Sequence, residues 1–203
     1  MFKWTRRIIF VTVLGLVAAL AAGDLAAKHF AEQRIAAAIH DRTQGVTDVQ
    51  VTIHSFPFVG RLLMQGAVSE LDISLVGIAG HGIDVSRLEA KATDLRLDKG
   101  ALFSKQNVHI TAVDTVTITA TVTEQALHKL LHVDVPLPEG ATFAVTNGRV
   151  RLPAGLSVPI PDAQLLPCAA TVRVEHTAIV LRCTGHTLPQ VVVDAVGAAS
   201  LRH

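Results

Sequence analysis

Residues 107–122 read NVHITAVDTVTITATV, and no other stretch restricts the fold as much. Val108, Ile110, Ala112, Val116, Ile118, Ala120 and Val122 share one parity, while Thr111, Thr115, Thr117, Thr119 and Thr121 share the other. Successive side chains of a strand point to opposite faces, so this segment has one greasy face and one wet face. As a single strand it extends about 50 Å, where an ordinary strand reaches about 17–20 Å. A strand of that length belongs to a large curved sheet, bent at bulges, with one wet face and one greasy face. Asp114 interrupts the apolar parity. Such a residue marks a bulge or a strand end that reaches solvent, and less commonly a buried functional carboxylate.

The flanking sequence supplies partners for that sheet. Val49, Val51 and Ile53 alternate with polar residues, as do Leu71, Ile73 and Leu75. In RLEAKATDLRLD, Leu88, Ala90 and Ala92 change parity before Leu95 and Leu97, which predicts a bulge near Thr93. Residues 123–132 predict a short helix. Asn147-Gly148 centres a hairpin that pairs Val145 with Val150 and Phe143 with Leu152. Pro153 to Pro167 reads as an irregular connection, and Pro189 opens a short last helix through Val191 to Ala195. Many antiparallel strands with few helices make the fold class α+β.

The N-terminus bears on location. Lys3, Arg6 and Arg7 precede an uncharged, mostly apolar run from Ile8 to Ala22, closed by Gly23 and Asp24. A basic flank before such a run is an export pattern, and it leaves the flank in the cytoplasm with everything after Asp24 outside. The run spans only about 23 Å as a helix, short of the ~30 Å hydrocarbon core unless Phe2, Trp4 and Gly23 extend it. Residues 1–23 are therefore expected to form a signal or membrane anchor and 24–203 a single domain, with cleavage near Ala19-Leu20-Ala21 as the open alternative. DLAAKHFAEQRIAAAIH continues the run as a helix.

Export gives the two cysteines a meaning, because a disulfide persists outside the cytoplasm. Folding CAATVRVEHTAIVLRC about Glu175-His176 pairs Val174 with Thr177, Val172 with Ile179, Ala170 with Leu181 and Cys168 with Cys183. A disulfide between Cys168 and Cys183 is the expectation.

Composition excludes more than it assigns. The chain of 203 residues is half hydrophobic and 17% charged, with a formal net charge of +1. It has no Lys/Arg-rich run, so no field recruits nucleic acid. A G-x-S-x-G elbow is absent, and GIAGHG (residues 77–82) has the wrong glycine spacing for a dinucleotide loop. His128 and His132 stand four apart on the expected helix but lack the glutamate of a zinc-protease motif and a third ligand. No catalytic residue, metal or cofactor is assigned.

One stretch remains, HSFPFVGRLLMQG, from His54 to Gly66. Pro57 cannot donate to a ladder and pushes Phe56 out of the helical region, so the strand before it ends here. Leu62, Leu63 and Met64 then form a compact turn. The stretch is either an apolar plug closing one end of the core or a greasy lip at a cavity mouth. As a lip it exposes two of Phe56, Phe58, Leu62, Leu63 and Met64, with Arg61 beside them for a phosphate headgroup.

AEQRIAAAI followed by VTIHSFPFVGRLLMQGAVSELDISL resembles the LmeA-like phospholipid-binding proteins of the actinobacterial cell envelope. These are similar to the tubular lipid-binding (TULIP) superfamily. Pro57, Phe58, Leu62, Leu63 and Gly66 are the most specific local part, and the likeness runs from about Asp24 to Thr184. The resemblance implies a long, curved antiparallel sheet wrapped around a long N-terminal helix, with β-hairpins and short helices added. It further implies phospholipid binding, with phosphatidylinositol as an example, at a membrane. Envelope glycan-assembly enzymes are the implied protein partners, in lipoglycan (mannan) assembly. On this reading Phe56, Pro57, Phe58, Arg61, Leu62, Leu63 and Met64 form the lip, and Ile73, Ile110, Val116 and Ile118 line the cavity. A solid-cored structural module of the envelope and an envelope lipid or glycan hydrolase are the competing readings.

Overall fold

The computed structural model describes residues 2–43, 45–78, 84–98, 100, 110–132, 138–143, 145–146, 149–151, 157–159, 168–176, 178–189 and 192–193. The apolar run and the helix after it form one element, α1 (Phe2–Arg42). Then follow β1 (Asp48–Ile53), α2 (Phe58–Gln65), β2 (Ala67–Ile78) and β3 (Val85–Leu97). β4 (Ile110–Ala112), β5 (Thr115–Thr123), α3 (Glu124–Leu131) and β6 (Thr142–Phe143) come next. β7 (Val145–Thr146), β8 (Arg149–Arg151), β9 (Ser157–Pro159), β10 (Thr171–Glu175) and β11 (Ala178–Gly185) complete the described elements. The main sheet is antiparallel and open, in the order β1-β2-β3-β5-β11-β10-β6 with β4 on β3, and β7-β8-β9 form a second small sheet. The fold is α+β, a long helix with a curved antiparallel sheet.

The curvature is built into β2 and β3 together. Their core-facing residues pair as Val68 with Leu95, Leu71 with Ala92, Ile73 with Ala90, Leu75 with Leu88 and Ile78 with Val85. Spacing stretches from two to three at the same rungs on both strands. Ser69 and Asp94 drop out of the ladder at one rung, Gly77 and Ser86 at the other, and the register is unchanged across both. Asp94 (φ 47) and Gly77 (φ 67) supply the left-handed backbone that each kink needs. A Cβ on Gly77 would stand 2.4 Å from Thr47 Oγ1, so only glycine fits there. The expected bulge near Thr93 is thus found one residue on, and the kink at Gly77 is additional.

The expected sixteen-residue strand is divided. Asn107, Val108 and His109 lie outside the described residues, and β4 and β5 are separated at Val113-Asp114. Ala112 is exposed while Val113 packs on the core, so the apolar parity does not run through unbroken. Opposite the Asp94 kink, the Asp114 amide donates to Thr93 O (3.2 Å), and the register slips between Arg96 and Leu97. The extra residue at that slip is Thr111, whereas exposed Asp114 marks the break between β4 and β5, across which the register is kept (Thr93 with Thr115, Arg96 with Ala112).

The cysteine hairpin also differs in register. Val172 pairs with Leu181 and Val174 with Ile179, two residues from the expected alignment. The loop between Glu175 and Ala178 is as short as the expected turn on Glu175-His176 but lies one residue further on, with His176 at φ 50. A slip of two keeps parity, so the same side chains face the core. Cys168 and Cys183 are disulfide-linked with Cα atoms 5.6 Å apart, as a diagonal pair. A Cβ on Gly185 would lie 3.4 Å from Cys168 Cβ, which shows that Cys168 stands across from Gly185.

Val145 pairs with Val150 as expected, but Phe143 joins β10 opposite Val172 in the main sheet. Asn147, Gly148 and Leu152 lie outside the described residues, as do most of Pro153–Pro167 and of the expected last helix. Of that helix, Val192 and Val193 are described, their amides donating to Pro189 O. α3 begins as expected, with the Ala126 amide donating to Thr123 Oγ1 (3.4 Å), and it ends at left-handed His132.

Candidate functional site

The stretch from Phe56 to Gly66 contains a helix where a turn was expected. α2 has only eight residues, too short to persist alone in water. Gly66 (φ 63) closes its C-terminus by donating to Leu62 O (3.0 Å). The Phe56–Pro57 peptide bond is cis. At the N-terminus Pro57 offers no side-chain cap. The cap comes from Asp24 of α1, whose Oδ2 accepts from the Phe58 amide (2.8 Å) and Oδ1 from the Val59 amide (2.6 Å). Asp24 is only 8% exposed. A carboxylate at a helix N-terminus satisfies orphan donors and meets the positive end of the dipole. Eight residues on, Glu32 Oε1 accepts from the Ile53 amide (2.7 Å). Two acids on one face of α1 thus fasten the end of β1 and the start of α2 to it. Ala27, Ala31, Ile35 and Ala38 of α1 pack on the core, and Ile39 is fully buried.

The apolar residues of the stretch divide. Phe58 is 6% exposed and belongs to the core; it does not form part of an exposed lip. Leu62 is half-buried. Phe56, Leu63 and Met64 are 69%, 48% and 80% exposed. Plug and lip therefore describe different side chains of one segment.

Two clefts flank α2. An apolar cleft of about 630 Å³ lies between α1 and the start of α2, walled by Val17, Leu20 and Gly23 on one side and Phe56, Pro57 and Val59 on the other. Its charged member, Asp24, already accepts the two α2 amides. A polar cleft of about 680 Å³ lies at the kinks of the sheet, lined by Arg61, Gln65, Asp94, Arg96 and Asp114. Arg61 faces this second cleft and donates to Ser69 Oγ, which in turn donates to Ser55 Oγ (3.4 Å). The guanidinium is thus on the polar flank of α2, away from the apolar cleft.

The remaining candidates are elsewhere. Ile73, Val116 and Ile118 are buried in the core cluster with Leu71, Ala90 and Ala120, and Ile110 packs half-buried against it. They line neither of the clefts beside α2. His128 and His132 are exposed, and His132 sits past the end of α3. A grouping not visible in the sequence lies on the outer face of β1–β3. His54 Nε2 is 3.2 Å from Asp72 Oδ2, and Lys91 Nζ is 2.7 Å from Glu70 Oε1 and 4.0 Å from Asp72 Oδ1. The Lys91 hydrogen bond holds the Glu70 carboxyl below its usual range and pushes the Lys91 ammonium above its own. His54, Glu70 and Asp72 bring ligand atoms within 4.8 Å of one another, yet the ammonium of Lys91 already supplies the cation.

α1 contains a stretch long and apolar enough to cross a membrane, within Phe10–Asp41. Its residues from Phe10 to Leu20 are exposed along every face, as a span in lipid requires. No curated protein and no solved structure gives a match to the chain. Residues 22–202 do match the sequence model of the LmeA-like phospholipid-binding family, which takes in α2, the polar cleft, the α2 side of the apolar cleft and the sheet, and the chain is a member of that family.

Proposed function

We propose that the protein binds phospholipid on the extracytoplasmic side of the plasma membrane, anchored by α1, and supports lipid handling or lipoglycan (mannan) assembly in the cell envelope. The observation that carries this reading is α2. With Phe56 just before it, α2 offers Leu63 and Met64 to the surroundings while its first turn is fastened to Asp24, at the end of the apolar run of α1. Large apolar side chains in that position meet the boundary between headgroups and acyl chains. The disulfide accords with a compartment outside the cytoplasm. Arg61 and Arg96 in the polar cleft suit an anionic headgroup, phosphatidylinositol among them, with Asp94 and Asp114 available to sugar hydroxyls. Envelope glycan-assembly enzymes are the partners this role calls for. Because Ile73, Val116 and Ile118 are packed, lipid is placed at α2, and reaching the sheet interior requires the core to part.

Native mass spectrometry of the full chain, released from a detergent that carries no phospholipid, tests the reading. Co-purified phospholipid and uptake of added phosphatidylinositol are expected. A bare mass that takes up neither phosphatidylinositol nor phosphatidylcholine supports the solid structural module instead.

A further inference from the structure

The apolar cleft uses residues on both sides of the boundary at which the family likeness begins. Phe56, Pro57 and Val59 lie within residues 22–202, whereas Val17 and Leu20 lie before them, in the apolar run. We infer that α1 is more than a tether: its last two apolar turns form one wall of a groove that holds a single acyl chain of a bilayer phospholipid. The inference rests on the phospholipid-binding role proposed above and assigns the place where the chain lies.

Depth fixes the chemistry of the occupant. Val17 to Gly23 covers about 9 Å of helix, ending where Asp24, Lys28 and Glu32 begin the polar part of α1. The groove therefore opens at the level of the upper acyl carbons, below the headgroups. Asp24, the one charged side chain of the groove, is engaged by the Phe58 and Val59 amides, and the other side chains of its walls are aliphatic or aromatic. An acyl chain enters sideways from the leaflet and never crosses water, and Asp24 acts as the positioning residue that keeps α2 at groove width. A corollary follows for processing: removal of the chain up to Ala22 takes away a wall, so the segment is retained in the working protein.

Gly23 provides the test. It lines the groove, and a Cβ added there meets nothing within 4 Å, so Gly23→Leu fills the groove while replacing a helix-weakening residue. The full chain is reconstituted in phosphatidylcholine–phosphatidylglycerol vesicles carrying a phospholipid whose acyl diazirine sits a few carbons below the ester. After photolysis, adducts are mapped by mass spectrometry. Adducts on Leu20 and on Phe56 or Val59 are expected. Gly23→Leu should lower those on Phe56 and Val59 about tenfold, leave those on Phe10 to Leu16 unchanged, and not lower the melting temperature. Adducts spread evenly around α1 with none on Phe56 or Val59, equal labelling of Val59 in the variant, or protein–protein crosslinks in place of lipid adducts would each overturn the groove. If native mass spectrometry finds phospholipid bound while the groove stays unlabelled, only this inference fails; if no phospholipid binds at all, the proposed function fails with it.

Discussion

Asp24→Ala removes one side chain from α1 and leaves two amides of α2 without acceptors. The Phe58 amide is buried and the Val59 amide partly so, at 2.8 and 2.6 Å from the carboxylate. A buried donor stripped of its partner costs about 1–3 kcal/mol, and water reaches the Val59 amide in part. About 1–2 kcal/mol each is the reasonable share, or about 2–4 kcal/mol for the pair. If α2 unfolds with the rest of the domain, that loss lowers the melting temperature by about 4–16 °C. If α2 opens by itself, the same loss appears as amide exchange about 30- to 700-fold faster at Phe58 and Val59, with little change in the sheet. Asp24→Asn keeps one acceptor but turns an NH₂ towards the other amide, so it should fall between alanine and wild type. Hydrogen exchange followed by mass spectrometry, together with a thermal melt in detergent, reads both regimes. If Asp24→Ala keeps protection at both amides within about threefold and the melting temperature within about 2 °C, the clamp contributes nothing and the reasoning is wrong.

Leu63→Ser combined with Met64→Ser should slow phospholipid transfer between vesicles about tenfold with an unchanged melt, whereas Phe58→Ala should cost about 3–5 kcal/mol; the reverse ranking of the two stabilities refutes the division of the segment. Ile118→Ala should cost about 2–5 kcal/mol by denaturant titration, because its side chain is fully buried, and a loss under about 1 kcal/mol would reveal a looser interior. Reduction of Cys168–Cys183, fifteen residues apart, should cost about 3 kcal/mol without abolishing lipid uptake; an unchanged melt after complete reduction counts against it. The Glu70–Lys91 pair should make its small contribution between two limits. It is lost as pH falls through the lowered Glu70 pKa and as pH rises through the raised Lys91 pKa, so the difference in melting temperature between wild type and Lys91→Gln should vanish at both extremes.

The core of the sheet was legible because parity is a local property. Leu71, Ile73 and Leu75, and likewise Val116, Ile118 and Ala120, announce their face within a few residues, and the slip after Ala92 announces a kink. Register was less legible. The cysteine hairpin alternates equally well in two alignments, and the choice rests on a left-handed His176 that the spacing does not reveal. The Asp24 cap was not legible at all, since it joins residues thirty-four apart and Asp24 reads from sequence as the polar end of an export run. An acid directly after the run, followed later by a proline-led segment with no capping side chain of its own, is the signal that was available. Phe58, Val59, Leu62, Leu63 and Met64 of HSFPFVGRLLMQG could not be sorted into core and surface until the helix gave them angular positions.

The strand order also sets a timetable. β1, β2, β3 and β5 lie side by side in the order in which a ribosome delivers them, so each finds its neighbour as soon as it is made. β5 then waits. The strand that covers its free edge is β11, the last of the described strands, which slots between β5 and the earlier-made β10 and matches Thr123 to Ala178 and Val116 to Gly185. Until Ala178–Gly185 has been synthesised, the nascent chain carries a nine-residue strand with an open ladder and an apolar face, the form most prone to pair with another copy. Chains truncated before residue 178 should therefore collect in aggregates even though most of the domain is present, and those extended past residue 185 should not.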